Sequence, residues 1–419
     1  MTSDNASASG DKEHSRFGKS RQAGPSVAPV GAGVGAKRES DGTRRRRWRR
    51  RIFIGLAVFL AVALGLGAAG WFYLNYRLNR ITKVTIPSLT PPPAKPGAPI
   101  NILLVGSDSR AYVGNSKKLA HEVGSAATVT GQRSDVIIIV RLAPQSKGIE
   151  MLSIPRDTWV PIPGTGGSNR INASFNAGPN LLVETIEMDF HIPINHYVEA
   201  TFPDLSNVVD ALHGVYLDFP DRLKDKNSRL SIKTTGCQVV DGSQALELVR
   251  SRDTYYFSRG QWNYDGNGDF SRIRRQQAFF HAVIQRANSE ITNPIAINDF
   301  IGAATHDLVV DNNFSGSEIR SLGLEYRGIA EGALKTEVLP TNEAVYDGAD
   351  ILLPDTKLDA RTIRKFLAFG GPRHTKAPSS ASSTTGPTTT SSLPITGTTS
   401  AAVIDSPKNY PEPWNPRAC

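Results

Sequence analysis

Apolar residues form three near-continuous runs in the middle of the chain, at Asn101–Gly106, Asp135–Leu142 and Gly148–Pro155. Such runs, rich in β-branched residues, predict strands that are covered on both faces. Helical patterns follow at Pro203–Leu212, Gly242–Val249 and Phe270–Asn288. The last of these has Asp269 in the position expected for the N-cap. The alternation predicts an α/β fold with a mixed central β-sheet sandwiched between helices.

The longest apolar run, Ile52–Leu74, carries no charge. As a helix it is long enough to cross the roughly 30 Å hydrocarbon layer of a membrane. Seven arginines lie in Arg44–Arg51, directly before this run. Because arginines stay on the cytoplasmic side, the sequence predicts a single-pass anchor with its N-terminus in the cytoplasm and the rest outside. A cleaved signal peptide is the alternative, although its apolar core is usually shorter, about 7 to 15 residues.

The net charge of +9 is concentrated at the N-terminus, where residues 1–51 hold thirteen Lys and Arg against five Asp and Glu. The remainder is close to neutral, so no nucleic-acid partner is expected. Composition predicts a disordered basic cytoplasmic tail (1–51), the anchor (52–74), a Pro-rich linker (75–98), a globular domain (99–373) and a Ser/Thr/Pro-rich tail (374–419). The two cysteines, Cys237 and Cys419, form a disulfide or remain free thiols.

Two carboxylates lie at the ends of the first two predicted strands, Asp108 just after one and Asp135 at the start of the next. If these strands are antiparallel neighbours, both carboxylates lie at the same edge of the sheet. Two carboxylates suit a hydrated Mg²⁺ or Mn²⁺ that takes its other ligands from phosphate oxygens. Each aspartate taken alone has the simpler interpretation of a turn or loop residue.

Arg156 lies where the chain leaves the third predicted strand, and Arg170, Arg250, Arg252 and Arg272 follow further along the chain. Gln276 lies four residues after Arg272, on the same face of the predicted helix. The guanidinium group pairs bidentately with phosphate oxygens and keeps its charge at any physiological pH. The sequence has no HExxH, CxxC, GxSxG or GxxxxGK[ST] motif. A metal and arginines therefore indicate phosphoryl transfer by positioning and charge neutralisation.

Six blocks in this order, NILLVGSDSR, RSDVIIIVRL, MLSIPRDTWV, NRINASFNAG, DGSQALELVRSR and DFSRIRRQQ, resemble the LytR-CpsA-Psr family. Members of that family attach teichoic acids, capsule or arabinogalactan from polyprenyl-pyrophosphate carriers to peptidoglycan. The resemblance implies that Asp108 and Asp135 bind the metal, and that Arg156 acts with them in catalysis. It implies a pyrophosphate site formed by Arg133, Arg156, Arg250, Arg252, Arg272 and Gln276. Arg170 stands where many relatives have a lysine, and it is included in this set.

The resemblance therefore predicts a metal-dependent phosphotransferase that joins a phosphoglycan to peptidoglycan through a phosphodiester. Its expected partners are the polyprenyl-pyrophosphate-linked glycopolymer, the peptidoglycan acceptor and the membrane. Two alternatives remain open: a polyprenyl-pyrophosphate hydrolase, in which water replaces the sugar hydroxyl, and a non-enzymatic membrane-bound wall regulator. The chain also has a Tyr- and Gly-rich insert, Asp253–Gly268, which we expect to shape the acceptor cleft.

Overall fold

The computed structural model describes residues 41–107, 134–290, 293–371 and 413–419. The chain divides into two compact units, and the division falls after Gly67. Helix α1, Asp41–Leu78, runs across that division. Its part from Arg50 to Leu78 is long and apolar enough to cross a membrane, and its apolar side chains from Ile52 to Tyr73 are exposed. By length and composition, this helix fits the anchor predicted at residues 52–74.

The remaining helices are α2 (Ile171–Ser174), α3 (Pro179–Phe190), α4 (Phe202–Ala211), α5 (Gly242–Arg250), α6 (Gly268–Glu290), α7 (Pro294–Asp307), α8 (Gly316–Glu325) and α9 (Thr356–Ala368). The first strands are β1 (Thr82–Val84), β2 (Ile100–Ser107), β3 (Ser134–Ala143), β4 (Gly148–Ser153), β5 (Trp159–Ile162), β6 (Gly167–Arg170), β7 (His196–Thr201), β8 (Val215–Phe219) and β9 (Arg222–Lys224). The later strands are β10 (Ser231–Ile232), β11 (Gly236–Val240), β12 (Tyr255–Ser258), β13 (Gln261–Tyr264), β14 (Val309–Asp311), β15 (Leu334–Val338), β16 (Thr341–Tyr346), β17 (Ala349–Pro354) and β18 (Arg417–Ala418).

The central sheet has seven strands within the described residues, in the order β1-β14-β7-β2-β3-β4-β15. It is mixed, because β2 pairs antiparallel with β3 and parallel with β7. The predicted antiparallel pairing is therefore confirmed, and Ser107 lies opposite Ser134. This register places the end of β2 and the start of β3 at one edge of the sheet.

Helices cover both faces of the sheet because successive side chains of a strand point to opposite sides. Ile137 and Ile139 of β3 belong to the core that includes α3 and α9. Ile138, between them, belongs to a second core, against which Phe280 and Ile284 of α6 pack. The predicted sandwich of a mixed sheet between helices is confirmed.

Two segments assigned by composition to a linker and a tail belong to the folded part. Strand β1, inside the predicted linker 75–98, pairs in parallel with β14. Strand β18, inside the predicted tail 374–419, pairs with β8, and a disulfide joins Cys237 to Cys419. Both strands are too short to give an apolar pattern, and their partners are distant in the sequence. The structure thus differs from the predicted boundaries at residues 98 and 374.

The insert Asp253–Gly268 contains a β-hairpin, in which β12 and β13 pair antiparallel. This hairpin extends a smaller sheet with the order β10-β9-β12-β13. Helix α6 begins at Gly268, directly after the insert, so Asp269 lies in its first turn. The N-cap prediction for Asp269 is therefore wrong, because the carboxylate is already part of the helix.

Candidate active site

A cavity of about 310 Å³ lies where β3, the loop after β4, α5 and α6 meet. Residues predicted from the sequence to form the site line much of it: Asp135, Arg156, Arg250, Arg252, Arg272 and Gln276. Three nearby loop residues that were not predicted, Asp225, Asn227 and Ser228, complete one wall together with Asp253. Asp108 and Arg133, the two other predicted residues next to β2 and β3, lie outside the described residues.

Arg156 connects two carboxylates at the edge of the central sheet. Its Nη1 forms an ion pair with Asp135 Oδ1, and its Nε lies 3.4 Å from Asp157 Oδ2. Burial lowers the pKa of Arg156, but Asp135, Asp157 and Asp269 raise it by a larger amount, so its pKa lies above the usual value. The guanidinium group of Arg156 is therefore a fixed cation at the edge of the central sheet, where it lines the cavity.

Arg272 is the most enclosed of the arginines that line the cavity, with 4% of its side chain exposed. Its Nη2 lies 2.6 Å from Asp269 Oδ1, and the Nε of Arg252 lies 3.4 Å from the same oxygen. Burial lowers the pKa of Arg272, and the nearby cations Arg156 and Arg252 lower it further. Asp269 and Asp135 oppose this shift without cancelling it. Crowded guanidinium groups of this kind favour an anion in the cavity, which would relieve their mutual repulsion.

Asp225 organises the loop that carries Arg252. Its Oδ2 accepts hydrogen bonds from Ser251 Oγ at 2.8 Å and from the backbone amides of Arg252 and Asp253, both at 3.0 Å. Burial raises the pKa of Asp225, but these bonds and those from Asn227 and Ser228 lower it below the ordinary value. The sequence indicates only that an aspartate in such a polar stretch favours a turn.

Arg275 supports the same loop from behind the cavity. Its guanidinium is fully buried, and Nη1 lies 3.3 Å from Asp265 Oδ2 and 3.1 Å from Asn415 Oδ1. Its Nη2 donates to the carbonyl oxygen of Ser251 at 2.9 Å. Arg275 therefore positions the backbone between Arg250 and Arg252 and does not itself line the cavity. Sequence spacing alone does not separate it from Arg272, since both belong to the same basic run.

Two predicted residues, Gln276 and Arg170, contact other parts of the protein. Gln276 lines the cavity, but its amide Nε2 donates to the carbonyl oxygen of Val249 at 3.1 Å, which joins α6 to the end of α5. Arg170 does not line the cavity. Its Nε lies 3.6 Å from Asp157 Oδ1, and its Nη2 donates to the carbonyl oxygen of Asp350 at 2.6 Å. Arg170 is thus connected to Arg156 through the carboxylate of Asp157.

The predicted metal site is represented within the described residues by one of its two carboxylates, Asp135. In the described part of the chain, no group of three or more His, Cys, Asp or Glu residues is arranged to hold a metal ion. This donor set fits an ion such as Mg²⁺, which keeps several waters and takes ligands from substrate phosphates as well as from one or two carboxylates.

The chain is similar in sequence to known cell-wall proteins. The sequence model of the LytR_cpsA_psr family matches residues 75–365. The probable cell wall biosynthesis protein LcpB of Corynebacterium glutamicum is 33% identical over 325 residues, which cover 75% of this chain and 72% of that protein. The polyisoprenyl-teichoic acid–peptidoglycan teichoic acid transferase TagU of Halalkalibacterium halodurans is 30% identical over 264 residues, covering 62% and 76%.

Among solved structures, the LytR-Csp2A-Psr enzyme from Actinomyces oris has the same fold. It superposes with a TM-score of 0.55 at 22% identity, and the alignment covers 68% of this chain and 96% of that one.

Proposed function

The chain belongs to the LytR-CpsA-Psr family, and from that premise we propose that it transfers a phosphoglycan from a polyprenyl-pyrophosphate carrier to peptidoglycan. The phosphoglycan is of the teichoic-acid, capsule or arabinogalactan type. One observation carries this proposal: Arg156, Arg252 and Arg272 converge on a single cavity next to the Asp135 carboxylate. Two linked phosphates carry the charge that such a cluster neutralises.

The proposed reaction breaks the phosphoanhydride bond of the donor and forms a phosphodiester bond to the acceptor. A hydroxyl oxygen of the acceptor sugar forms a bond to the sugar-side phosphorus of the donor, and the bond from that phosphorus to the bridging oxygen breaks. The bridging oxygen leaves on polyprenyl phosphate, and the hydroxyl proton passes to a carboxylate that lines the cavity. Negative charge grows on the bridging oxygen during this step, and the fixed guanidinium groups stabilise it without reorganising.

We further propose that the transferase is metal-dependent, with Asp135 and Asp108 holding Mg²⁺ or Mn²⁺. When bound, the ion would neutralise charge on the pyrophosphate oxygens. In this proposal Arg156 both binds the donor phosphates and, through its ion pair, orients the Asp135 carboxylate that would bind the metal ion. Arg252 and Arg272 share the Asp269 carboxylate, which holds two cations close together where a phosphate binds.

The proposed location of the reaction is the outer side of the cell membrane. The arginine cluster Arg44–Arg51 before the apolar part of α1 favours a cytoplasmic N-terminus. The catalytic domain would then lie outside the cytoplasm, where both the lipid-linked donor and peptidoglycan are within reach. The disulfide between Cys237 and Cys419 supports this side, since such bonds persist in oxidising compartments.

The test uses the full-length protein with a polyprenyl-pyrophosphate-linked saccharide, with and without purified peptidoglycan. The proposal expects saccharide joined to peptidoglycan through a phosphodiester when both are present. Release of free saccharide phosphate at the same rate with and without peptidoglycan would identify a hydrolase and refute transfer. A non-enzymatic regulator would give neither product, and its function would depend on residues 1–43 and not on Asp108 or Asp135.

A further inference from the structure

The small sheet formed partly by the insert has two chemically different faces. Strand β12 pairs with β9 so that Tyr255 lies opposite Lys224, and Phe257 lies opposite Arg222. In the same strand, Tyr256 lies opposite Leu223, on the other face. That inner face packs into the core around Leu223, which is 1% exposed. Side chains alternate between the two faces along a strand. Tyr255 and Phe257 of β12 therefore share the outer face with Lys224 and Arg222, their partners on β9.

Every side chain on this outer face of β9, β12 and β13 is aromatic or cationic. The hairpin register places Tyr264 beside Tyr255, and Trp262 beside Phe257. We call these six residues the aromatic platform: Arg222, Lys224, Tyr255, Phe257, Trp262 and Tyr264. Its rings are accessible, since Tyr255, Trp262 and Tyr264 are 40%, 38% and 53% exposed.

The cations of the aromatic platform lie against its rings. The Cζ of Arg222 is 3.8 Å from the ring centre of Phe257, and the Nζ of Lys224 is 4.0 Å from that of Trp262. The rings of Tyr255 and Tyr264 lie 5.2 Å apart and are tilted. Cation–π contacts hold long, flexible side chains in place and orient the rings beside them. The surface is therefore preorganised and carries positive charge.

The aromatic platform is continuous with the proposed pyrophosphate cavity. Asp225, which directly follows Lys224, and Asp253, just before β12, both line that cavity. The two loops are joined by a hydrogen bond from Asn227 Nδ2 to Asp253 Oδ2 at 2.6 Å. The hydroxyl group of Tyr264 donates to the other carboxylate oxygen of Asp253 at 3.4 Å. The platform thus adjoins the cavity that the arginines line.

We propose that the aromatic platform binds the glycan strand of the peptidoglycan acceptor and presents its hydroxyl group to the cavity. The proposal rests on the transferase function proposed above. The donor is held through its phosphates, but the acceptor hydroxyl brings no charge to the arginines. The acceptor therefore needs a surface that does not depend on phosphate, and this surface must adjoin the cavity.

The chemistry of the platform matches that acceptor. The C–H faces of sugar rings pack on the electron-rich faces of aromatic rings. Arg222 and Lys224 complement the carboxylates that peptidoglycan carries beside its sugars. The platform residues of each strand lie two positions apart, which is about 7 Å, and three strands span about 10 Å, which suits about two sugar rings.

The test measures two kinds of binding by the full-length protein in detergent. One is co-sedimentation with purified peptidoglycan from which attached polymers have been removed. The other is binding of inorganic pyrophosphate, which reports on the arginine cavity. Trp262→Ala and Tyr255→Ala should each lower retention on peptidoglycan about three- to tenfold and leave pyrophosphate binding unchanged. Trp262→Phe should restore most of the retention.

The matched control is Tyr216→Ala. Tyr216 is 43% exposed and has Arg286 5.3 Å from its ring centre, but it lies on β8, outside the platform. Its retention on peptidoglycan should equal that of the unaltered protein. An equal loss in Tyr216→Ala, or unchanged retention in both platform variants, would overturn the proposal.

Two further results are informative. The first distinguishes failure of the platform proposal from failure of the transferase proposal, and the second distinguishes a glycan on the platform from a lipid. If the unaltered protein binds peptidoglycan through Trp262 but does not bind pyrophosphate, the platform stands and the transferase proposal fails. The protein can also be reconstituted in phosphatidylglycerol vesicles that contain brominated acyl chains. Quenching of a fluorescence component that is absent from Trp262→Phe would place lipid on the platform and refute the glycan proposal.

Discussion

The buried guanidinium of Arg275 donates to the carbonyl oxygen of Ser251 at 2.9 Å, and Ser251 separates Arg250 from Arg252. An arginine outside the cavity therefore sets the backbone from which two cavity arginines extend. The same guanidinium also pairs with Asp265 and contacts Asn415 near the C-terminus. The positions of Arg250 and Arg252 in the proposed pyrophosphate site thus depend on the contacts that Arg275 makes outside the cavity.

Arg275→Met should destabilise the fold and weaken phosphate binding together. It leaves the fully buried Asp265 carboxylate without its cation, and breaking a buried pair in this way typically costs about 3–5 kcal/mol in the free energy of unfolding. Denaturant unfolding measures this loss. Adding Asp265→Asn should recover part of the stability but not the pyrophosphate affinity, because Ser251 still lacks its donor. Unchanged stability in Arg275→Met would contradict this role.

Arg156→Ala should lower the rate of transfer by about a hundredfold or more while the domain stays folded, because a fixed charge at the reacting phosphate is lost. Arg156→Lys should recover only part of the rate, since lysine keeps the charge but not the planar fork. Joined product is measured over time, and thermal unfolding checks the fold. Arg361→Ala, an exposed arginine on α9, is the matched control. A folded Arg156→Ala variant with normal turnover would exclude the assignment.

Asp225→Asn should weaken pyrophosphate binding although residue 225 is not a cation. The neutral amide group replaces an acceptor of bonds from Ser251 and from the amides of Arg252 and Asp253, so the loop loosens. The pKa of Asp225 is below its ordinary value in the folded protein. The ionised Asp225 carboxylate therefore stabilises the folded protein fully above the pKa that Asp225 has in the unfolded chain. This stabilisation is lost as the pH falls through the lower pKa of Asp225 in the folded protein. Unfolding should show the largest difference between the two proteins near neutral pH and a smaller one in acid, and a pH-independent difference would contradict this account.

Reduction of the disulfide should lower both stability and activity. The bond between Cys237 and Cys419 closes a loop with a sequence separation of 182 residues. Removing a native disulfide typically costs about 2–5 kcal/mol. It also releases the segment that carries Asn415, a partner of Arg275. Thermal unfolding with and without reductant measures the effect, and Cys237→Ser with Cys419→Ser should match the reduced protein. Insensitivity of the unaltered protein to reductant would rule out this role.

Asp359→Asn should stabilise the protein at neutral and alkaline pH. Burial, and then the charge of Asp355, raises the pKa of Asp359 to about 7. Between its ordinary value and about 7, the folded state holds a proton that the unfolded state has released, so stability falls as the pH rises through this range. Each pKa unit corresponds to about 1.4 kcal/mol. The gain from Asp359→Asn in denaturant unfolding should therefore be larger at pH 8 than at pH 4, and an equal gain at both pH values would contradict this account.

Much of the fold could be predicted from local patterns. The three apolar runs correspond to β2, β3 and β4, and the three helical patterns correspond to α4, α5 and α6. The structure also brings together Asp135, Arg156, Arg250, Arg252, Arg272 and Gln276 around one cavity. Asp135, Arg156, Arg250 and Arg252 lie at or near the end of a regular element, and Arg272 and Gln276 lie four residues apart on α6, so local position made them candidates. Their roles in binding and catalysis remain predictions.

The sequence by itself determined the order of the predicted strands and helices, the two covered faces of the sheet and the presence of arginines after and within these elements. Only the tertiary structure decided that Arg272 opens onto the cavity while Arg275, three residues later, is buried behind it. It also decided that β1 and β18 join sheets, and that Asp225 holds the loop before β12. Hydrophobic periodicity is a local property of the chain, whereas burial and pairing depend on which distant segments meet. Such contacts leave no periodic pattern in the sequence around either partner.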